Sequence, residues 1–131
     1  MPDRFEISTL LDAPSKRVYE AWLSSEEHSA FTGDTAEIDP RVGGAHSAFS
    51  GYIAGKTLEL DPHRRIVQTW RTTEFPEGSP DSRLELLFES VRGKTKLTLR
   101  HTGIPDGQGP QYEEGWKDNY FQGMVEYFSK G

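Results

Sequence analysis

The sequence predicts an α+β fold: a curved antiparallel sheet of about seven strands, two short helices after the first strand, and a long C-terminal helix in the concave face. Three observations predict it. Strand-like alternation runs from Thr35 to Thr102, interrupted only by turns of hairpin size and one polar excursion, which makes an antiparallel sheet. Helical spacing occurs only before and after that run, so the helices gather on one face. The last segment, Tyr112 to Phe128, is apolar over more than half its circumference, with Asp118, Gln122 and Glu126 as its only clean polar stripe. A surface helix shows an apolar stripe little wider than ~100°. This one must be gripped from several sides, or must face a cavity or a partner.

In chain order, Arg4–Leu11 sets Phe5, Ile7, Thr9 and Leu11 against Glu6, Ser8 and Leu10, a first strand. Asp12-Ala13-Pro14-Ser15 stops it, and Pro14 suits the first position of a helix. Val18, Ala21 and Trp22 carry that helix over residues 14–23, and Ser24 and Glu27, in capping-box register, open a second over 25–31. The two meet at an angle, with Phe31 tucked under the sheet. Strands follow at Thr35–Ile38, Ala45–Ser50, Tyr52–Leu60, Arg65–Thr72, Arg83–Val91 and Lys94–Thr102. Their turns are Asp39–Gly44, Gly51, Asp61-Pro62-His63, the excursion Phe75–Asp81, and Arg92-Gly93, the clearest hairpin. A Gly- and Pro-rich loop leads to the last helix, where Pro110 lies just upstream and Glu113 and Glu114 fall in the first turn. At about 100° per residue, Tyr112, Trp116, Tyr120, Gly123 and Tyr127 share one sector. Phe121, Met124, Val125 and Phe128 continue the arc.

The 131 residues read as one domain, 1–131, and no run approaches the ~20 apolar residues that would span a bilayer. A net charge of −6 with scattered basic residues excludes a general nucleic-acid binder. With no cysteine there is no disulfide, thiol nucleophile or thiolate metal site. Met1-Pro2-Asp3-Arg4 runs straight into strand, without a signal peptide, and the two features together point to the cytoplasm. His28, His46, His63 and His101 show no metal-ligand spacing, and phosphate loops and nucleophile elbows are missing, so neither metal nor cofactor is expected.

Strand alternation favours the outer, wet face for Arg71, Glu85 and Arg100, as a charge ladder; facing inward, they would need partners and could orient a polar ligand head. His101 shares the parity of Leu97 and Leu99 and points inward, as a hydrogen-bonded structural residue more readily than a catalytic one. The aromatic residues carry the functional reading. The pocket candidates between sheet and terminal helix are Phe31, Phe49, Tyr52, Trp70, Phe88, His101, Trp116, Asn119, Tyr120, Gly123 and Tyr127. Phe121, Met124 and Phe128 form either a second core layer or a contact for another copy of the chain, a homodimer.

Pro14–Trp22, Asp39–Gly44, Leu60–Trp70, His101-Thr102-Gly103-Ile104-Pro105 and Gly115-Trp116 followed by Tyr120 resemble the SRPBCC (START-like, Bet v-like) superfamily. They are most similar to the branch named for the activator of the Hsp90 ATPase. The resemblance implies a helix-grip fold with a tunnel or pocket that takes apolar ligands in many relatives. Phe31 stands where many relatives carry Trp, and Gly123 where they carry a larger residue, so the resemblance implies extra room beside both. It implies three readings: a non-enzymatic module holding a small hydrophobic or aromatic molecule in a stress-linked setting, a chaperone-associated protein-binding domain, or a cyclase- or hydrolase-like enzyme using His101 or Tyr120.

Overall fold

The computed structural model describes residues 2–129, so Met1, Lys130 and Gly131 of the expected domain lie outside the described residues. Its elements are β1 (Asp3–Leu11), α1 (Ser15–Trp22), α2 (Ser25–Thr32), β2 (Glu37–Ile38), β3 (Ala45–Ala48), β4 (Ile53–Asp61), β5 (Arg65–Thr72), β6 (Ser82–Val91) and β7 (Lys94–Ile104). One continuous terminal helix follows, made of α3 (Gly109–Gly115), a π-helical segment (Trp116–Phe121) and α4 (Gln122–Ser129). The sheet runs β1-β7-β6-β5-β4-β3-β2, antiparallel throughout. This is the predicted α+β helix-grip architecture.

Register fixes which residues meet the helix. Leu84, Leu86 and Phe88 pair with His101, Leu99 and Leu97, while Gln68 and Ile66 pair with Leu84 and Leu86. Directly opposed residues share a face, and all of these are buried. The opposite face carries a ladder from Glu6 to Arg100 (2.6 Å), Glu85 (3.6 Å from Arg100), Arg65 (2.6 Å from Glu85) and Glu59 (2.5 Å from Arg65). Arg71 leaves that ladder and pairs with Asp81 at 2.7 Å.

Several boundaries move for local reasons. Pro14 caps α1 from an extended backbone rather than entering it. Ser24 caps α2 by accepting the Glu27 N–H at 3.2 Å, but Glu27 does not close the box. Its carboxylate instead meets Arg17 at 2.5 Å and the Tyr127 hydroxyl at 2.8 Å, tying both short helices to the terminal one. β3 stops at Ala48 because Phe49, Ser50 and Gly51 take φ of 51°, 56° and 91°. Arg92 and Gly93, with φ of 52° and 81°, have the two positive values a tight hairpin needs. The terminal helix begins at Gly109, earlier than expected, so Glu113 and Glu114 miss its first turn. An Asp3 carboxylate oxygen accepts the N–H groups of Gly107 (2.9 Å) and Gly109 (2.8 Å) and anchors that start to β1.

The wide apolar arc has its explanation in the π segment, where the Gln122 N–H donates to the Lys117 carbonyl. One inserted residue turns everything downstream by about 100°. The inward stripe runs Tyr112, Trp116, Tyr120 and then steps to Phe121, Met124 and Phe128, all buried. Two narrow stripes in succession had the look of one broad face. The residues weighed as a contact for a second copy are therefore core, with only Val125 beside them exposed.

Candidate functional site

A cavity of about 230 Å³ opens between the terminal helix and the β3–β5 end of the sheet. The β3–β4 turn and the start of β4 supply Phe49, Tyr52 and Ile53, and β5 supplies Trp70. The helix supplies Gln111, Tyr112, Gly115, Trp116, Asn119 and Tyr120. Spacing explains the helical wall: Tyr112, Trp116 and Tyr120 form the inward stripe, with Gly115 and Asn119 alongside.

Of the candidates expected from sequence, Phe49, Tyr52, Trp70, Trp116, Asn119 and Tyr120 line this cavity. Phe31, Phe88, His101, Gly123 and Tyr127 do not. Phe31 is buried between α2 and the helix, near Trp22 (6.1 Å), Tyr120 (6.4 Å) and Phe128 (6.5 Å). Phe88 packs on Tyr19 at 5.6 Å, nearer the hairpin end of β6. Tyr127 sits half-buried beneath the Arg17 guanidinium, 5.7 Å from its ring. Phe31, Gly123 and Tyr127 instead border, with Asn119, a separate and more open depression of about 470 Å³ between α2 and the terminal helix. A Cβ at Gly123 would nonetheless lie 2.1 Å from the Phe31 carbonyl oxygen, so this glycine is a point of close backbone approach between α2 and α4. The glycine that leaves room is Gly115, where a Cβ would meet nothing nearer than the Asn119 side chain at 3.8 Å.

The tyrosine hydroxyls around the cavity are committed elsewhere. Tyr52 donates to Glu74, and burial together with that acceptor pushes its phenol up to about 12. Tyr112 donates to Gln108 (2.7 Å) and accepts from Thr72 (2.6 Å), and burial raises its phenol too. Tyr120 lies 2.9 Å from His28 Nε2, while His28 Nδ1 lies 2.9 Å from the Trp22 carbonyl. A carbonyl only accepts, so Nδ1 carries the proton and Nε2 accepts from Tyr120. Burial lowers His28 to about 4 and raises the Tyr120 phenol.

His101 is locked in the same way. Trp116 donates to its Nδ1 at 3.1 Å, so Nε2 carries the proton and donates to Ser82 at 2.7 Å; Ser82 passes its own to the Trp70 carbonyl at 2.6 Å. Burial takes His101 down to about 3. Neither histidine has a free nitrogen, and neither is positioned to exchange protons with a molecule in the cavity.

The indole nitrogens divide differently. Trp22 donates to Gln68 at 3.3 Å and Trp116 to His101, but Trp70, 3% exposed, has no hydrogen-bond acceptor among the described residues. An unmade buried donor costs about 1–3 kcal/mol. Sequence periodicity carries no signal for it, nor for Ile53, Gln111 and Gly115 as lining residues, whereas Tyr112 shares the helical sector of Trp116 and Tyr120 and was missing only from the candidate set. Among the described residues no group of histidine and carboxylate side chains is placed to hold a metal ion, and no helix is long and apolar enough to cross a membrane.

Residues 12–129 match the family model described as Activator of Hsp90 ATPase homolog 1-like protein. The human activator of 90 kDa heat shock protein ATPase homolog 1 is 30% identical over 123 residues, 94% of this chain but 36% of that protein. The chain thus spans about a third of the length of the curated relatives it matches. The crystal structure of an HSP90 activator from Plasmodium falciparum superposes with a TM-score of 0.88 at 28% identity, covering 96% of both chains. CalU16 from Micromonospora echinospora shares the fold, with a TM-score of 0.81 at 24% identity over 98% of this chain and 77% of its own.

Proposed function

We propose a binding role for this chain, which belongs to the family of activator of Hsp90 ATPase homolog 1-like proteins: a cytoplasmic, non-enzymatic domain that holds a small aromatic or apolar molecule between sheet and terminal helix. The observation that carries the reading is the aromatic cavity itself, kept open by Gly115 in a helix whose other inward positions are filled. The engaged nitrogens of His28 and His101 and the high phenols of Tyr52 and Tyr120 favour binding over acid–base chemistry. The freedom from cysteine suits a reducing compartment.

The size of the cavity bounds its occupant. About 230 Å³ falls below the ~300 Å³ at which drug-sized pockets begin, so a one- or two-ring molecule fits. At about 0.5 kcal/mol per non-hydrogen atom, a ligand of about ten atoms binds with a dissociation constant on the order of 0.1 mM. The test is titration with naphthalene-sized fragments, followed by the indole and aromatic resonances. Gly115→Leu places a side chain in the cavity and should abolish binding while leaving the protein folded. Unchanged binding in that variant, or silence across the fragment set, would dismiss the cavity as a site.

The likeness to chaperone ATPase activators over nearly the whole chain favours a second reading, in which the domain also docks on an Hsp90-type chaperone. Adding the purified domain to such a chaperone and measuring ATP turnover tests it. An unaltered rate, with no complex seen by analytical ultracentrifugation, would rule it out.

A further inference from the structure

We propose that Asn119 is the specificity-determining residue of the cavity, and that the ligand is a flat, neutral aromatic molecule with a hydrogen-bond donor and acceptor side by side on one edge. A lactam or an aminopyridine has such an edge. The inference rests on the cavity being a binding site and adds what that site selects.

Elimination leads to Asn119. Among the polar side chains of the wall, the hydroxyls of Tyr52, Tyr112 and Tyr120 are taken up by Glu74, Gln108 and His28. The Trp116 nitrogen donates to His101, and the Trp70 nitrogen is sealed within the protein, out of reach of a ligand. Gln111 holds its amide 3.4 Å from the Glu74 carboxylate. Asn119 alone of these makes no hydrogen bond among the described residues, and it is exposed.

Position supports the same assignment. Gln111, Gly115 and Asn119 follow at intervals of four along one side of the terminal helix, at the rim of the cavity. A Cβ on Gly115 would meet the Asn119 amide nitrogen first, at 3.8 Å, so the amide lies beside the opening that this glycine leaves. Asn119 also borders the open depression between α2 and the terminal helix, where the cavity gives way to solvent. A ligand seated among the aromatic rings presents its outer edge there.

The chemistry of the group sets the class. A carboxamide holds a donor and an acceptor in one plane, and pairs through two hydrogen bonds with an edge of the complementary pattern. Being exposed, the amide trades water for ligand, so it contributes selectivity more than affinity. The wall contains no Lys, Arg or His, and Glu74 adds negative charge beside Tyr52 and Gln111. An anionic edge would enter uncompensated, which leaves the neutral one.

Naphthalene, quinoline and quinolin-2(1H)-one share one two-ring outline, and offer in turn no polar edge, an acceptor, and a donor beside an acceptor. Each is titrated, by calorimetry or NMR, into the wild type and Asn119→Leu, a substitution of similar size at an exposed position. Quinolinone should lose about tenfold in the variant, quinoline about threefold and naphthalene less than about twofold. In the wild type, the Asn119 side-chain amide resonances should shift strongly with quinolinone and little with naphthalene, a readout that does not depend on the variant. If the variant changes all three affinities alike, or the amide responds alike to the probes, the selective role of Asn119 is refuted and the cavity stands. Equal losses for quinoline and quinolinone would refute the paired edge. If no probe binds the wild type, the cavity fails as a site and the inference falls with it.

Discussion

Gly115 and Gly123 lie eight residues apart in one helix, and the structure assigns them opposite responses to the same substitution. At Gly123 an added methyl would sit 2.1 Å from the Phe31 carbonyl oxygen, a backbone atom that cannot swing aside. A relaxed C···O contact at a helix interface is about 3.3 Å, so α2 and α4 would have to part by roughly 1 Å. Overpacking of that kind costs about 1–3 kcal/mol, against a gain of about 1 kcal/mol from replacing glycine within a helix. Shifting Phe31 also disturbs its ring contacts with Trp22 and Tyr120, which places the net loss for Gly123→Ala at about 1–2 kcal/mol. Gly115 has ordinary helical angles (φ −61°, ψ −40°) and open space at its Cβ position. Gly115→Ala should therefore stabilise by about 0.5–1 kcal/mol. Urea unfolding followed by tryptophan fluorescence would show midpoints moving in opposite directions at constant slope. Equal midpoints, or a Gly123→Ala protein more stable than wild type, would refute the close-approach argument.

Two further outcomes follow from the buried histidines. Unfolded His28 and His101 take up protons below about pH 6.5, whereas in the folded protein they stay neutral until about 4 and about 3. The unfolded state binds the extra protons, so stability is level above pH 6.5 and falls as pH drops, by about 2 kcal/mol per histidine at pH 5. Burial lowers His46 as well, which adds to the same trend. Urea curves at pH 7.5 and 5.0 that differ by less than about 1 kcal/mol would contradict this. Tyr120→Phe removes the donor to His28 Nε2 and leaves a buried acceptor empty, an expected loss of about 1–3 kcal/mol in the same assay. The pH sensitivity should shrink with it, because an unpaired His28 nitrogen accepts a proton more easily.

Much of this was legible because β6 and β7 alternate cleanly: Leu84, Leu86 and Leu99 declare one face of the sheet, Glu85 and Arg100 the other. The π segment was hidden because both of its registers are apolar. Its trace in the sequence is the adjacent pair Tyr120-Phe121, where one stripe ends and the next begins. Within the site, Trp70, Trp116 and Tyr120 were readable as large inward aromatics, but so were Phe31 and Phe88. What separates cavity from core is where each lies in the assembled fold: for Phe88 how far along the sheet, for Phe31 its seat between α2 and the terminal helix. Both are set by tertiary packing rather than by local pattern. The room expected at Gly123 was ambiguous for a related reason. A missing side chain can mean an open space or a backbone pressed close, and only the neighbouring helix decides which.

The placement of β1 has a consequence for how the chain is made. Its strand partner is β7, with Glu6 opposite Arg100 and Leu11 opposite Thr95, and Asp3 waits further still for Gly107 and Gly109. At about 5–20 residues per second, a ribosome leaves the first strand without that partner for roughly five to twenty seconds. The β4–β5 hairpin closes over a short span meanwhile, and β6 takes up β7 as soon as it emerges. The final act of folding thus joins the earliest-made strand to the last, and it commits the edge of the sheet and the start of the gripped helix together. A chain stalled before β7 emerges would present an unpaired edge to any sticky neighbour, which marks that interval as its period of greatest exposure to aggregation.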